Sequence, residues 1–433
     1  MCFVPEKLRD NNIYGKKLKN WKSIISNISN SSGYNHALAF FAFILPVSEK
    51  FSTYTIGLSL LILFGDFFTG KNKFKVHKEL LPLVFLYLTY VVVSIYMSGE
   101  IQFKWLENKA SLLIFPVLFF TSHEINKKRI FSFFVYGCLT AYLICLFLAV
   151  NNSISLSDGS FSFNPLINSN RGFFESMVYE GNYFFGVHFT IMQISYFATY
   201  LALSLAMLLF YFKEFKGRQV VISVLILAII QTISLAGLIN LCIVFSLYIL
   251  YYIKSTKVRT FTTLGLLATI LLGGIYHPRI SNTLKGFYKT VNNENSARYP
   301  KQPRLITWEA SLGAIEESGF FGVGIGNSQR ILNREYEKIG FLKGKNENLN
   351  AHNQYFQILI ECGALGLFIL LLILYLIINK TIKYKAREKI VIVSFFWILL
   401  ISFAFESMLS RYVGISFFSF FTCLLLRINE GLD

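Results

Sequence analysis

Continuous apolar runs of about 20 residues recur along this chain, the length that crosses about 30 Å of hydrocarbon. A membrane β-barrel would instead show short segments of alternating polarity. The chain is therefore read as an all-α polytopic membrane protein. Its mean hydropathy of +0.52 and 54% hydrophobic content agree. About twelve spans are expected: 35–49, 51–69, 80–98, 108–121, 130–150, 188–212, 218–234, 236–253, 261–276, 353–378, 389–405 and 411–427. The first and fourth are short enough to be re-entrant. No internal repeat is found.

A net charge of +17 invites a nucleic-acid reading, but the distribution of that charge excludes it. Lys and Arg crowd every second short loop: Gly70–Leu80, Ser122–Arg129, Lys213–Gln219, Ile253–Thr260 and Asn379–Lys389. The opposite short connections are much poorer in basic residues. By the positive-inside rule the crowded loops and both termini face the cytoplasm. Residues 1–34 read as a basic cytoplasmic tail without a cleavable signal. Spans one to nine then occupy 35–276, with an outer loop at 151–187. A large outer loop follows at 277–352, and 353–433 hold the last three spans and a short tail.

Loops this long are uncommon unless they carry function or are disordered. The second has its own helix signal, with Pro303 at the start, an apolar stripe of Leu305, Trp308, Leu312 and Ile315, and Gly319 at the end. The six cysteines show no metal-ligand spacing with His and no disulfide framework. There is no outer Asp-x-Asp pair, Walker motif or Gly-x-Ser-x-Gly. Neither a metal nor a cofactor is expected, and outer-face chemistry falls to His and Arg.

His188 and His352 each open a span after a long outer loop, as if both faced one pocket; interfacial aromatics would sit there too. Arg304 lies in the first turn of the loop helix, with Arg298 in the same loop and Arg171 in the other. Guanidinium groups grip phosphate oxygens in bidentate fashion and keep their charge. Glu361 lies about 13 Å deeper than His352 on the same helix. A carboxylate at that depth needs a partner or a polar cavity. Asn240 and Gln231 are candidate partners. Gly322, Gly324 and Gly326 form either an anion cradle or a plain turn.

The run Arg304-Leu-Ile-Thr-Trp308, then Gly322-Val-Gly324-Ile-Gly326-Asn327, then His352-Asn353-Gln354-Tyr355 through Glu361-Cys-Gly363 resembles the domain shared by O-antigen ligases and Wzy-type O-antigen polymerases. The resemblance implies a GT-C-like, metal-independent, inverting glycosyltransferase of the bacterial inner membrane, acting at the periplasmic face. Its partners would be an undecaprenyl-diphosphate-linked oligosaccharide, an acceptor glycan or lipid A–core, the bilayer, and a chain-length regulator. Arg304 would bind diphosphate and His352 would take the acceptor proton. Arg171, Arg298, His188, Asn353 and Glu361 are the further substrate-binding candidates. Ligases usually carry Ser-Arg at the outer start of the eighth span, where this chain has Ser234-Leu235. Arg171 or Arg298 would then replace that Arg, and polymerase is placed ahead of ligase. A transporter of the same lipid-linked glycans is the rival class, and a non-catalytic scaffold in envelope synthesis is a third.

Overall fold

A computed structural model describes residues 33–98, 103–157, 160–167, 176–177, 181–262, 264–265, 288, 303–383 and 386–427. The N-terminal tail, Arg171, Arg298 and most of the ninth expected span lie outside these residues.

The first helices are α1 (Gly33–Ile44), α2 (Glu49–Phe68), α3 (Leu81–Ser98), α4 (Phe103–Lys109), α5 (Ser111–Phe119) and α6 (Lys127–Ser153). A hairpin of β1 (Ile154–Ser157) and β2 (Ser160–Phe163) follows. Next come α7 (Ile194–Ala206), continued by a π-turn over Met207–Tyr211, then α8 (Arg218–Gln231) and α9 (Leu235–Tyr252). The lobe helices are α10 (Pro303–Ser318), α11 (Ile325–Lys338) and α12 (Leu342–Asn346). The chain closes with α13 (Gln354–Lys380), α14 (Ala386–Phe405) and α15 (Tyr412–Leu426).

Seven helices among the described residues are long and apolar enough to cross a membrane. They cover Glu49–Phe68, Lys78–Met97, Lys127–Ser153, Ile194–Tyr211, Leu235–Tyr252, Gln354–Lys380 and Arg387–Phe405, while α8 and α15 are apolar but shorter. The structure is thus a mostly helical membrane protein in which seven of the expected runs appear, among the described residues, as helices of full span length. The described part of α1, 12 residues, extends about 18 Å at 1.5 Å per residue. The fourth run begins at the end of α4 and continues, past Ala110, as α5.

α7 is buried on all sides, and its polar residues bond across to neighbours. Thr199 meets Ser402 at 3.0 Å, and the Tyr200 hydroxyl donates to the Val413 carbonyl at 2.7 Å. Between helices in lipid, association rests on close packing and on such bonds. Aromatics fill much of the rest, including Tyr200 stacked on Phe417 with ring centroids 4.6 Å apart.

The basic loops gather at one pole. There Lys380 pairs with Glu79 at 2.9 Å and His123 with Asp66 at 3.0 Å. The Arg427 guanidinium donates to the carbonyls of Phe119 and His123. The opposite pole carries the turn before α2, the β-hairpin, the turn from α14 to α15, and the lobe.

The lobe has a small core of Ala310, Ala314, Ile331, Leu332 and Tyr336, closed by Ile360 of α13. α10 has the expected bounds but not the expected face. Thr307, Ala310, Ser311, Ala314 and Ser318 are its buried residues, while Leu312 is 57% exposed. These small side chains let α10 lie close to α11 and α13.

The lobe is fastened to a break in α13. Gly363 leaves helical geometry (φ 62, ψ −157), which frees carbonyls on the turn before it. The N–H groups of Val323 and Gly324 donate to the Ile360 and Glu361 carbonyls at 2.9 and 3.0 Å. In return the Ala364 N–H donates to the Phe320 carbonyl at 2.9 Å. Gly322 has φ +77, and a Cβ there would fall 2.5 Å from the Gly363 nitrogen. The Ile325 N–H donates to Ser94 Oγ of α3 at 3.1 Å. The N–H groups of Val323, Gly324 and Ile325 are thus committed to protein, and this part of the glycine run docks the lobe.

Candidate functional site

His352 sits immediately before α13, at the junction of lobe and bundle, with φ +47. That is a left-handed conformation a non-glycine residue adopts only under constraint. The constraint is visible in the bonds. The His352 N–H donates to Asn350 Oδ1 at 3.0 Å, and its carbonyl accepts from Trp308 Nε1 at 3.4 Å. The Tyr336 hydroxyl reaches the Leu349 and Asn350 carbonyls, and the Ala351 N–H donates to Gln357 Oε1 at 3.1 Å. Asn353 caps α13, its Oδ1 accepting from the N–H groups of Tyr355 and Phe356 at 2.9 and 3.2 Å.

His352 Nδ1 lies 3.3 Å from Glu406 Oε1, with the carboxylate side chain 3% exposed and the imidazole 24% exposed. The approach is at ion-pair distance but not aligned as a hydrogen bond, since Nδ1 has no hydrogen-bond partner by angle. Nδ1 is the buried ring nitrogen, so Nε2 is the one a ligand can reach. Glu406 follows the last residue of α14. Burial opposes its ionisation, but the contact with His352, the charge of Arg304 and the amide of Gln193 nearby together hold its carboxyl below the usual range.

Arg304, in the first turn of α10, places its guanidinium 6.0 Å from the centre of the Phe405 ring. Trp308, one turn on, packs against Phe405 and Phe356 with centroids 6.4 and 6.3 Å away. Burial pulls the Arg304 pKa down and Glu406 pulls it back up. A guanidinium stays charged through such shifts. Arg304 makes no side-chain hydrogen bond among the described residues, so its N–H fork is open to a ligand. His352 and Arg304 therefore both lie near Glu406, the three carried on separate elements.

The other sequence candidates fall elsewhere. His188, in the turn Gly186–His188, is exposed and touches none of this cluster among the described residues. Arg171 and Arg298 lie outside the described residues. Ser234 caps α9 by accepting from the Gly237 N–H at 3.2 Å, and Leu235 supplies no cation.

Glu361 is 3% exposed and its partner is Lys109, 3.3 Å away, not Asn240 or Gln231. Those two are already engaged, Asn240 with Ser402 at 3.2 Å and Gln231 with the Tyr142 hydroxyl at 2.7 Å. A Lys at the end of α4, 252 positions earlier, could not be paired with Glu361 from spacing. Lys109 also donates to the Leu409 carbonyl, whose N–H in turn donates to Gln354 Oε1. Gln357 Nε2 donates to Glu361 Oε1 at 2.8 Å. The buried pair thus ties the chain beside Glu406 (Leu409) to the chain beside His352 (Ala351, through Gln357).

Glu406 was not among the sequence candidates. The available signal was a lone carboxylate closing the apolar run of α14, an expensive placement without a partner. Among the described residues no group of three or more His, Cys, Asp or Glu could hold a metal ion.

A protein-family model described as O-antigen ligase matches residues 220–371, a segment that includes Arg304, His352 and the α13 break. No curated protein matches the chain.

Proposed function

We propose that this chain, whose residues 220–371 match the O-antigen ligase family, is a glycosyltransferase that moves a glycan from a polyprenyl diphosphate to an acceptor sugar hydroxyl. The reaction takes place at the outer, periplasmic face of the bacterial inner membrane. The observation that carries the reading is the convergence of His352, Glu406 and Arg304 at the pole away from the basic loops.

The chemistry follows from the geometry. Glu406 faces Nδ1 and favours the tautomer with its proton there, leaving Nε2 as the base. The same division of labour between carboxylate and imidazole serves in hydrolase triads. Nε2 accepts the acceptor hydroxyl's proton, and the oxygen attacks the anomeric carbon. The bond from that carbon to the diphosphate oxygen breaks on the opposite side, so configuration inverts. Negative charge grows on the departing lipid diphosphate, where the fixed Arg304 guanidinium stabilises it. Lipid-linked repeat extension is the first reading, supported by Leu235 in place of the ligase arginine. Transfer to lipid A–core is the second, supported by the description of the matching family.

Purified protein supplied with a polyprenyl-diphosphate glycan tests both. Ladders on lipid diphosphate alone indicate polymerisation, and product only on added lipid A–core indicates ligation. Movement of the donor across vesicles with no new glycosidic bond would replace the reading with a transporter. Full activity in both His352→Ala and Arg304→Ala would remove the site.

A further inference from the structure

A cavity opens at the same pole, on the Gln193 side of Glu406. Its volume is about 550 Å³, inside the range of about 300–1,000 Å³ typical of small-ligand pockets. Its walls come from four places far apart in sequence: the start of α2 (Glu49, Lys50), the end of α4 (Asn108), the entry to α7 (Gln193) and the start of α15 (Arg411, Tyr412). Gln193 lies beside Glu406 and also lines the cavity. Tyr196, one turn further along α7, lines it too and donates to the Ser407 carbonyl at 3.4 Å. The cavity and the His352 cluster therefore share a wall.

The wall chemistry narrows the ligand. Lipid tails would meet charged and amide groups, so an acyl chain is a poor occupant. A bare diphosphate would meet the Glu49 carboxylate beside the cations. A ligand rich in hydroxyls suits the set, because each hydroxyl both donates and accepts. Gln193 Oε1 is buried with no partner among the described residues, an unsatisfied acceptor in the cavity wall. The half-buried phenol ring of Tyr412 adds a flat apolar face beside these polar groups.

From this geometry we infer that the cavity is a carbohydrate subsite holding the acceptor end of the glycan, whose terminal hydroxyl reaches His352 past Gln193. The inference rests on the glycosyl-transfer reading above and adds where the acceptor sits. Lys50, Asn108 and Arg411 are its exposed recognition groups, and none belongs to the proton- or diphosphate-handling cluster.

The full-length protein in nanodiscs tests this with the repeat-unit oligosaccharide of the producing cell, freed from lipid by mild acid so that it carries no diphosphate. Asn108→Ala and Arg411→Ala should weaken its binding, and raise acceptor KM, about tenfold each, the scale of one good hydrogen bond to a charged or amide group. Donor KM should not move. Arg411→Lys, which keeps the charge, guards against a misfolded Arg411→Ala and should recover part of the binding. Unchanged binding in all pocket variants, no binding to the wild type, or a rise in donor rather than acceptor KM would each overturn the subsite. Transfer that persists with pocket variants unaffected sinks the subsite alone. Pocket-dependent binding without any transfer sinks the catalytic reading alone.

Discussion

His352 is held in a strained backbone by bonds from the lobe and from α13, and this preorganisation sets what its loss should do. Removing a general base of this kind costs about 10²–10⁴-fold in rate, so His352→Ala should lower kcat by that much with little change in donor binding. Arg304→Ala should cost about 10²–10³-fold, measured as single-turnover glycan transfer. Arg304→Lys should recover only part of it, since an ammonium lacks the planar fork. Glu406 adds a pH signature. Its carboxyl is held below the usual range in the folded protein. A depressed carboxyl contributes stability above its unfolded pKa and loses it as pH falls through the folded value. Thermal melts in detergent should therefore show the wild type losing its advantage over Glu406→Gln as pH drops below the ordinary carboxylate range. A gap that stays constant across pH would mean that Glu406 carries no charge in the fold.

Two joints at the scale of elements hold the lobe and the site together. In the first, the Gly322–Gly324 strip lies in the break of α13. Gly322→Ala introduces both a left-handed alanine and a Cβ 2.5 Å from the Gly363 nitrogen. Strain of about 1–3 kcal/mol is expected from the backbone alone, read as faster proteolysis of α10–α12 and a lower melting temperature. The second joint is the Lys109–Glu361 pair. Lys109→Met strands a buried carboxylate, a change that costs about 3–5 kcal/mol in comparable buried pairs. Lys109→Met with Glu361→Leu should be more stable than Lys109→Met alone. Equal melting of the single and double variants would show that the pair is not coupled.

At the scale of the molecule, the basic loops meet at one pole and the site lies at the other. With Lys and Arg facing the cytoplasm, a cysteine-free background should give opposite labelling at two exposed positions. Lys343→Cys on the lobe should react with a membrane-impermeant maleimide from the periplasmic side of spheroplasts. Lys128→Cys should react only after the membrane is opened. The reverse pattern would put Arg304 and His352 in the cytosol and end the proposed chemistry.

Apolar run length alone announced a helical membrane protein, and loop charge alone divided it into two sides. Both are local properties, set by transfer of residues to lipid and by which charges stay behind. Arg304 and His352 were legible as well, because their short-range patterns resemble a family. Other features depended on residues meeting from distant parts of the chain. Glu361 is paired by Lys109, and His352 is faced by Glu406, 54 residues later in the sequence. Buried charge must find its opposite or stay unstable, and which partner it finds is settled only when helices remote in sequence pack side by side.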